Sequence, residues 1–281
     1  MKTVLVTGAT SGFGKGLVTA LLEKGYNVVA TGRSLIGRQD VFAHEREKYK
    51  TQLVELDLDV TSAADMKAIE EYFRQRPLDV LINNAGFAIF GPVEECSEEK
   101  LRKQFEVNVF GVFLLTQKLL PALRHAKGHI INFSSAFGLM GFPLSSAYCA
   151  TKFAIEGFSE SLSYELKPFS VKVSLIEPGG YRTNFNNAAE WGMELSTNSV
   201  YSRQVKNYTR LRQNLATRPN PQRPEEVVQG VIKIIQTNNP KINYSFGKDA
   251  FLVRFMKKIM PRSLFHRISG KALYSQFNKE H

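Results

Sequence analysis

Tyr148 and Lys152 could do chemistry together, because four residues of helix put both side chains on one face. A free tyrosine, with a pKa of about 10, is a poor base at neutral pH. A neighbouring ammonium favours the phenolate. Lys152 is therefore expected to lower Tyr148 into the range of a working general acid or base. That chemistry suits an alcohol and its carbonyl: hydride delivered to a ketone leaves an alkoxide that needs a proton, and the reverse step needs a base. The three donors of Lys152 could also hold ribose hydroxyls. Ser135 closes the run HIINFSS, where its hydroxyl would bond the substrate oxygen. Ser134 faces elsewhere if the strand alternates. The five histidines (His44, His125, His129, His266, His281) adjoin no motif, so no acid–histidine–nucleophile set competes.

Gly8, Gly12 and Gly14 space as G-x-x-x-G-x-G between an apolar run and a helical one. Glycine there permits a tight turn and close backbone approach to a pyrophosphate, and the helix start aims N–H groups at it. Where NAD-binding folds usually carry an acid after the second strand, this chain has Gly32-Arg33. No carboxylate repels a 2′-phosphate there, and a guanidinium is available to bind one. NADP(H) is thus expected over NAD(H), with Lys15 adding positive charge.

The elements that must position these groups follow an alternating rhythm. Strands are expected at Thr3–Thr7, Asn27–Thr31, Leu53–Leu56, Val80–Ile82, His129–Phe133, Val171–Ile176 and Ile242–Ser245. Helices are expected from Leu17 to Gly25, through Val41–Tyr49, at Ala63–Phe73, as one long run from about Glu98 to Leu123, at about Ala147–Leu166, and at Glu226–Gln236. This is an α/β chain with a doubly wound parallel sheet, Rossmann-type, in a single domain over 1–248. The polar stretch Pro178–Pro224 looks like a lid insertion (about 180–224) with short helices.

In order and spacing, four motifs resemble the short-chain dehydrogenase/reductase family over nearly the whole chain, up to about residue 247. They are the Gly8–Gly14 turn; Asn83-Asn84-Ala85-Gly86; Ser135 with Tyr148-Cys149-Ala150-Thr151-Lys152; and Pro178-Gly179 with Thr183. The resemblance implies that Gly8, Ser11, Gly12, Phe13 and Gly14 wrap the pyrophosphate. It implies that Asp59 (with Asp57 a nearby competitor) bonds the adenine amino group, and that Asn84, Ala85 and Gly86 lie along the adenosine ribose. It also implies that Pro178, Gly179 and Thr183 flank the nicotinamide, and that Asn108 holds a water linking Lys152 to solvent. From the residues alone, Asn108 could equally be a helix-interior amide bonding a neighbouring backbone. The implied activity is NADP-dependent oxidoreduction at a CH–OH group, and the implied assembly is a homo-oligomer through the two long helices. A cofactor-binding regulator or scaffold with little turnover is the alternative.

The apolar stretch Phe137–Leu144, with Phe185 and Trp191 from the lid, would overlie the cleft. With YCATKFAIEGF it looks like the branch containing 17β-hydroxysteroid and retinol dehydrogenases. That implies a steroid-, retinoid- or fatty-carbonyl-like substrate; packing of the lid on the core is the plainer reading. The chain carries a net +11. Between Lys241 and His281 stand nine basic residues against Asp249 and Glu280, a net +7. Phe251, Leu252, Phe255, Met256 and Ile259 recur there at helical spacing, so 249–281 reads as a basic amphipathic extension. It could lie on an anionic membrane surface. The favoured reading docks the apolar stripe on the body or a subunit and leaves the basic face solvated. No organised motif supports nucleic acid. Two cysteines give neither a disulfide framework nor a metal cluster, so no metal is expected. No uncharged run reaches the length of a spanning helix, and the N-terminus does not read as a signal peptide; a cytoplasmic setting is expected.

Overall fold

A computed structural model describes residues 1–181, 189–193, 199–216 and 222–277. Seven parallel strands form the central sheet: β1 (Thr3–Val6), β2 (Asn27–Gly32), β3 (Leu53–Asp57), β4 (Val80–Asn83), β6 (His129–Phe133), β7 (Lys172–Pro178) and β9 (Asn243–Phe246). Their order is β3-β2-β1-β4-β6-β7-β9. The order reverses between β1 and β4, the place where an open α/β sheet makes a ligand crevice beyond its strand ends. β4 and β6 are buried throughout, as their largely apolar runs require of strands covered on both faces, and Asn83 and Asn132 bond one another across them.

Helices α1 (Gly12–Glu23), α2 (Ala43–Lys48), α3 (Ala63–Phe73), α4 (Glu98–Phe105), α5 (Gly111–Ala126), α6 (Ala136–Leu139) and α7 (Ser146–Leu166) connect the strands. α8 (Ser202–Ala216), α9 (Pro224–Gln236), α10 (Lys248–Ile259) and α11 (Arg262–Phe277) follow. Local signals set several ends. Ser62 caps α3 by accepting from the Asp65 N–H, and Ser97 caps α4 the same way from Lys100. α9 opens on Pro224 with Glu225 and Glu226 in its first turn, suited to the positive end of the dipole. On one face of the sheet, Leu17 and Leu21 of α1 meet Val227 and Val231 of α9 in one core cluster. On the other, Ile69, Leu115, Leu119 and Leu162 join α3, α5 and α7. Each such side chain stabilises by roughly 1.5–3 kcal/mol when fully buried.

Three expectations change. The long helix is not uniform: Glu106–Phe110 is a π-helical segment between α4 and α5, of the sort frequent at functional sites. The whole run Glu98–Ala126 is long and apolar enough to cross a bilayer by composition. Its Leu115, Leu119 and Leu123 are nonetheless core residues, and Lys118 pairs with Glu70 at 3.0 Å. Among its described residues the lid carries one 15-residue helix, α8, longer than expected. It also supplies β8 (Glu190–Trp191), which pairs in parallel with β5 (Ile89–Phe90). The tail is two helices separated at Met260-Pro261, because proline restricts the residue before it to extended backbone; Met260 adopts φ −104°, ψ 141°.

Candidate active site

The glycine turn lies at the carboxyl end of β1, with Gly8 at φ 64° and Gly12 at φ 54°. A Cβ on Gly14 would stand 2.2 Å from the Gly8 carbonyl oxygen, so only glycine lets α1 start this close to the turn. Ser11 is the N-cap of α1, exposed, with no hydrogen bond from its side chain to the helix. Open helix N–H groups, a free hydroxyl and a floor without Cβ atoms fit a pyrophosphate. Phe13 packs against Phe133 and edge-on to Tyr181 at 5.7 Å, an aromatic wall beside the turn.

Arg33 is exposed immediately after β2, and Asp57 faces Gly32 across the ladder. Asp57 is engaged with the Ile36 N–H, whereas Asp59 accepts from the N–H and hydroxyl of Thr61 through one oxygen. Asn84 is committed to the turn itself. Its amide donates to the Thr7 and Gly8 carbonyl oxygens at 2.9 and 3.2 Å, and the Thr7 hydroxyl accepts from the Asn84 and Ala85 N–H groups. Asn84 thus clamps β1 to β4 under the turn. Gly86 lies beside Asn108 and Lys152; a methyl there would stand 3.2 Å from Asn108 Oδ1 and 3.9 Å from Lys152 Nζ.

Ser135, Tyr148 and Lys152 come together, from the end of β6 and the first turns of α7. Ser135 is the N-cap of α6, where its Oγ accepts from the Phe137 N–H at 3.2 Å, and it stands close enough to the Tyr148 phenol to favour the phenolate. Lys152 Nζ donates to the Phe133 carbonyl at 2.7 Å and stands 5.7 Å from the centre of the Tyr148 ring. Burial pulls its ammonium down to about 8, against the pull of Glu156 upward. Tyr148 departs from expectation: burial pushes its phenol above the usual value, and Ser135 offsets this only in part. In the chain alone, desolvation wins over any help from Lys152. A positive nicotinamide ring against the phenol would act in the opposite direction.

Asn108 is buried within the π segment. Its Oδ1 accepts from the Phe87 N–H at 3.1 Å, and its Nδ2 donates to the Phe87 carbonyl at 2.8 Å and reaches Thr151 Oγ1 at 3.3 Å. The side chain therefore fastens the Asn-Asn-Ala-Gly loop to the catalytic helix, as the plainer reading of a backbone-bonding amide has it. Pro178 ends β7, and Gly179 closely approaches Asp249, whose Oδ2 accepts from the Gly180 N–H at 2.6 Å. Thr183 and Phe185 lie outside the described residues.

Of the cleft walls, sequence reasoning expected Phe137, Phe142 and Trp191 and missed Phe90, Tyr208 and Phe277, with the groups behind them. Tyr148 belongs to a cluster with Ala88, Phe90, Tyr208 and Phe277; Phe137, Phe142 and Trp191 pack against it. Tyr208 OH shares a hydrogen bond with Ser145 at 3.2 Å. On the other side of α7, Glu177 is wholly buried and holds Asn243, Ser245 and Arg254 of the tail. Glu156, one turn past Lys152, has its Oε1 buried without a partner, as is Ser134 Oγ, and the two converge beside Gly138. Ser134 thus faces away from the cleft. Burial, then the charge of Glu177, pushes the Glu156 carboxyl up to about 7. A lone Glu in a helix gives no sequence signal of this. His129, down at about 3 through burial, bonds Ser174 at 3.0 Å and is structural.

The short chain dehydrogenase family profile matches residues 2–193. Human retinol dehydrogenase 8 is 33% identical over 86% of this chain and 80% of its own length. A short-chain dehydrogenase structure from Streptomyces avermitilis superposes with a TM-score of 0.81 at 32% identity, covering 96% of this chain and 98% of that one. The closed form of serine dehydrogenase complexed with NADP+ superposes with a TM-score of 0.72 at 28% identity, covering 87% and 94%. Ser135 beside the Tyr148 phenol, the lysine one turn on and the open glycine turn agree with these matches: the chain is an oxidoreductase of the short-chain dehydrogenase family.

Proposed function

We propose that this enzyme uses NADP(H) to interconvert a lipophilic alcohol and its ketone or aldehyde, with Tyr148 as general acid/base. The observation that carries the reading is Tyr148 with Lys152 against its ring and Ser135 beside its phenol, at the base of an aromatic cleft. The cofactor supplies the hydride. The substrate oxygen fits between the two hydroxyls, where Ser135 donates to it and Tyr148 gives or takes the proton. Lys152 keeps a positive charge near the developing phenolate. Asn108 and Asn84 hold the loop that carries Gly86 in register with the turn. Arg33, exposed where an acid would repel a 2′-phosphate, supports NADP(H) over NAD(H), as does the NADP+-bound serine dehydrogenase.

Phe90, Phe137, Phe142, Trp191 and Tyr208 support a lipophilic substrate, steroid-, retinoid- or fatty-carbonyl-like, and the likeness to a retinol dehydrogenase agrees. Phe110 at the end of the π segment, Leu114 on α5 and Tyr164 on α7 are exposed, which supports a homo-oligomer through those helices. Both cysteines are free thiols, consistent with the reducing cytoplasm. A panel of lipophilic and small polar carbonyls, run with NADPH and NADH in parallel, tests the proposal. Tyr148→Phe should cut turnover by about 10²–10⁴-fold while NADPH binding stays within a few-fold. Wild-type protein that binds NADPH and reduces nothing on the panel would instead support a regulatory binder.

A further inference from the structure

The C-terminal helices are turned opposite to the usual sense. On α10, Phe251, Leu252, Phe255 and Ile259 are 64, 55, 49 and 58% exposed and form one stripe. The basic side chains on its other flank reach the body: Arg254 pairs with buried Glu177, and Lys257 donates to the Leu139 carbonyl at 2.6 Å. Helical spacing puts Lys248 within the apolar stripe and Lys258 at its edge. α11 does the same. Leu264, Ile268 and Tyr274 are exposed, with Arg267 and Lys271 exposed among them, while Phe265 and Phe277 turn inward. From Ala250 to Phe277 there are six lysines and arginines and no acid.

Several occupants can be weighed against this face. Bulk water does not reward a stripe of four large apolar side chains. A second copy seated face to face would set Lys248, Lys258, Arg267 and Lys271 against the same side chains of its mate, a repulsive arrangement. Nucleic acid would satisfy the charges and leave the aliphatic stripe without a partner. The headgroup region of an anionic bilayer satisfies both, with apolar side chains below the phosphates and lysines beside them. At 12 and 16 residues the helices are too short to span and suited to lie flat.

The same face leads inward. A groove of about 430 Å³ runs between the tail and the turn after α6, walled by Met140, Phe153, Met260 and Phe265, with Arg262 and His266 on it. Farther along α11, Leu273 and Phe277 enter the cluster around Tyr148.

We propose that α10 and α11 form a docking face for an anionic lipid bilayer, lying in its interfacial plane. The groove then opens beside the lipid, next to the loop over the active site. The test is co-sedimentation of the full chain with vesicles of phosphatidylcholine plus phosphatidylglycerol, and with phosphatidylcholine alone, with no substrate present. The wild type should sediment with the mixed vesicles and lose most of that binding in high salt. Lys248→Gln and Lys258→Gln should each weaken it roughly fivefold, the worth of one basic residue near the surface. The triple change Phe251→Ser, Phe255→Ser and Ile259→Ser should abolish it, with reduction of a small water-soluble carbonyl unchanged as a check of folding. Equal binding by wild type and variants, or none by either, overturns the proposal. So does a triple variant that turns from oligomer to monomer in sedimentation velocity, which would make the face a contact between copies. Because the binding assay needs no turnover, its failure leaves the oxidoreductase reading standing.

Discussion

Replacing Glu156 by glutamine should stabilise the protein in mild alkali and leave it unchanged in mild acid. The carboxyl is enclosed by groups from several elements: Lys152 on its own helix, Ser134 after β6, Glu177 on β7, Asn243 on β9, and Arg254 and Lys257 on α10. Burial, then repulsion from Glu177, raises it from 4.5 to about 7, against the opposing pull of Ser134, Arg254 and Lys152. An acid raised by folding is favoured in its protonated form. Its stability contribution is intact below the unfolded pKa and is lost as pH climbs from ~4.5 through about 7. A gap of about 2.5 units corresponds to a loss of roughly 3 kcal/mol. Glutamine keeps the shape and does not ionise. In a chain of this size the variant should melt roughly 5–10 °C above the wild type near pH 8.5 and coincide with it near pH 5. Thermal unfolding followed by circular dichroism at both pH values measures this. An offset of equal size at both, or a variant less stable in alkali, would refute the buried, strained carboxylate.

Gly14→Ala places a methyl 2.2 Å from the Gly8 carbonyl oxygen and 2.7 Å from Asn84 Nδ2. The turn must open, so NADPH affinity should collapse and stability fall by ~1–3 kcal/mol; a fluorescence titration showing native affinity would contradict the cradle. Arg33→Ala should reduce the preference for NADPH over NADH by about 10–100-fold, the worth of a charge-assisted bond, read from kcat/KM with each cofactor. An unchanged ratio would remove Arg33 from cofactor choice. Phe277→Ala deletes a ring 5.6 Å from Phe142 and 5.9 Å from Tyr208. KM for bulky lipophilic carbonyls should rise severalfold while small carbonyls are reduced as before; parallel changes in both would mean that the tail supports the fold and not the pocket.

Local chemistry made much of this protein legible in its sequence. β-Branched runs between helical periods placed the strands of the sheet, and α3 and β6 fall where their patterns put them. The glycine turn was readable because glycine there meets a backbone constraint, and Tyr148 with Lys152 because four residues of helix bring two side chains to one face. What lay beyond reach depends on partners distant in the chain. β5 and β8 are two residues each, and only their mutual pairing makes them strands. The π segment and the hold of Asn108 on Phe87 need a loop and a helix to be packed before the amide has a partner. Tyr148 is raised because tertiary burial outweighs its local neighbours. The tail is the clearest case. Its amphipathic pattern predicts an apolar side and a basic side and does not say which turns inward. Glu177, buried more than seventy residues earlier in the chain, takes Arg254, and the helix rotates its phenylalanines outward. Periodicity sets the faces of a helix; the buried charge that it must satisfy decides which one meets the core.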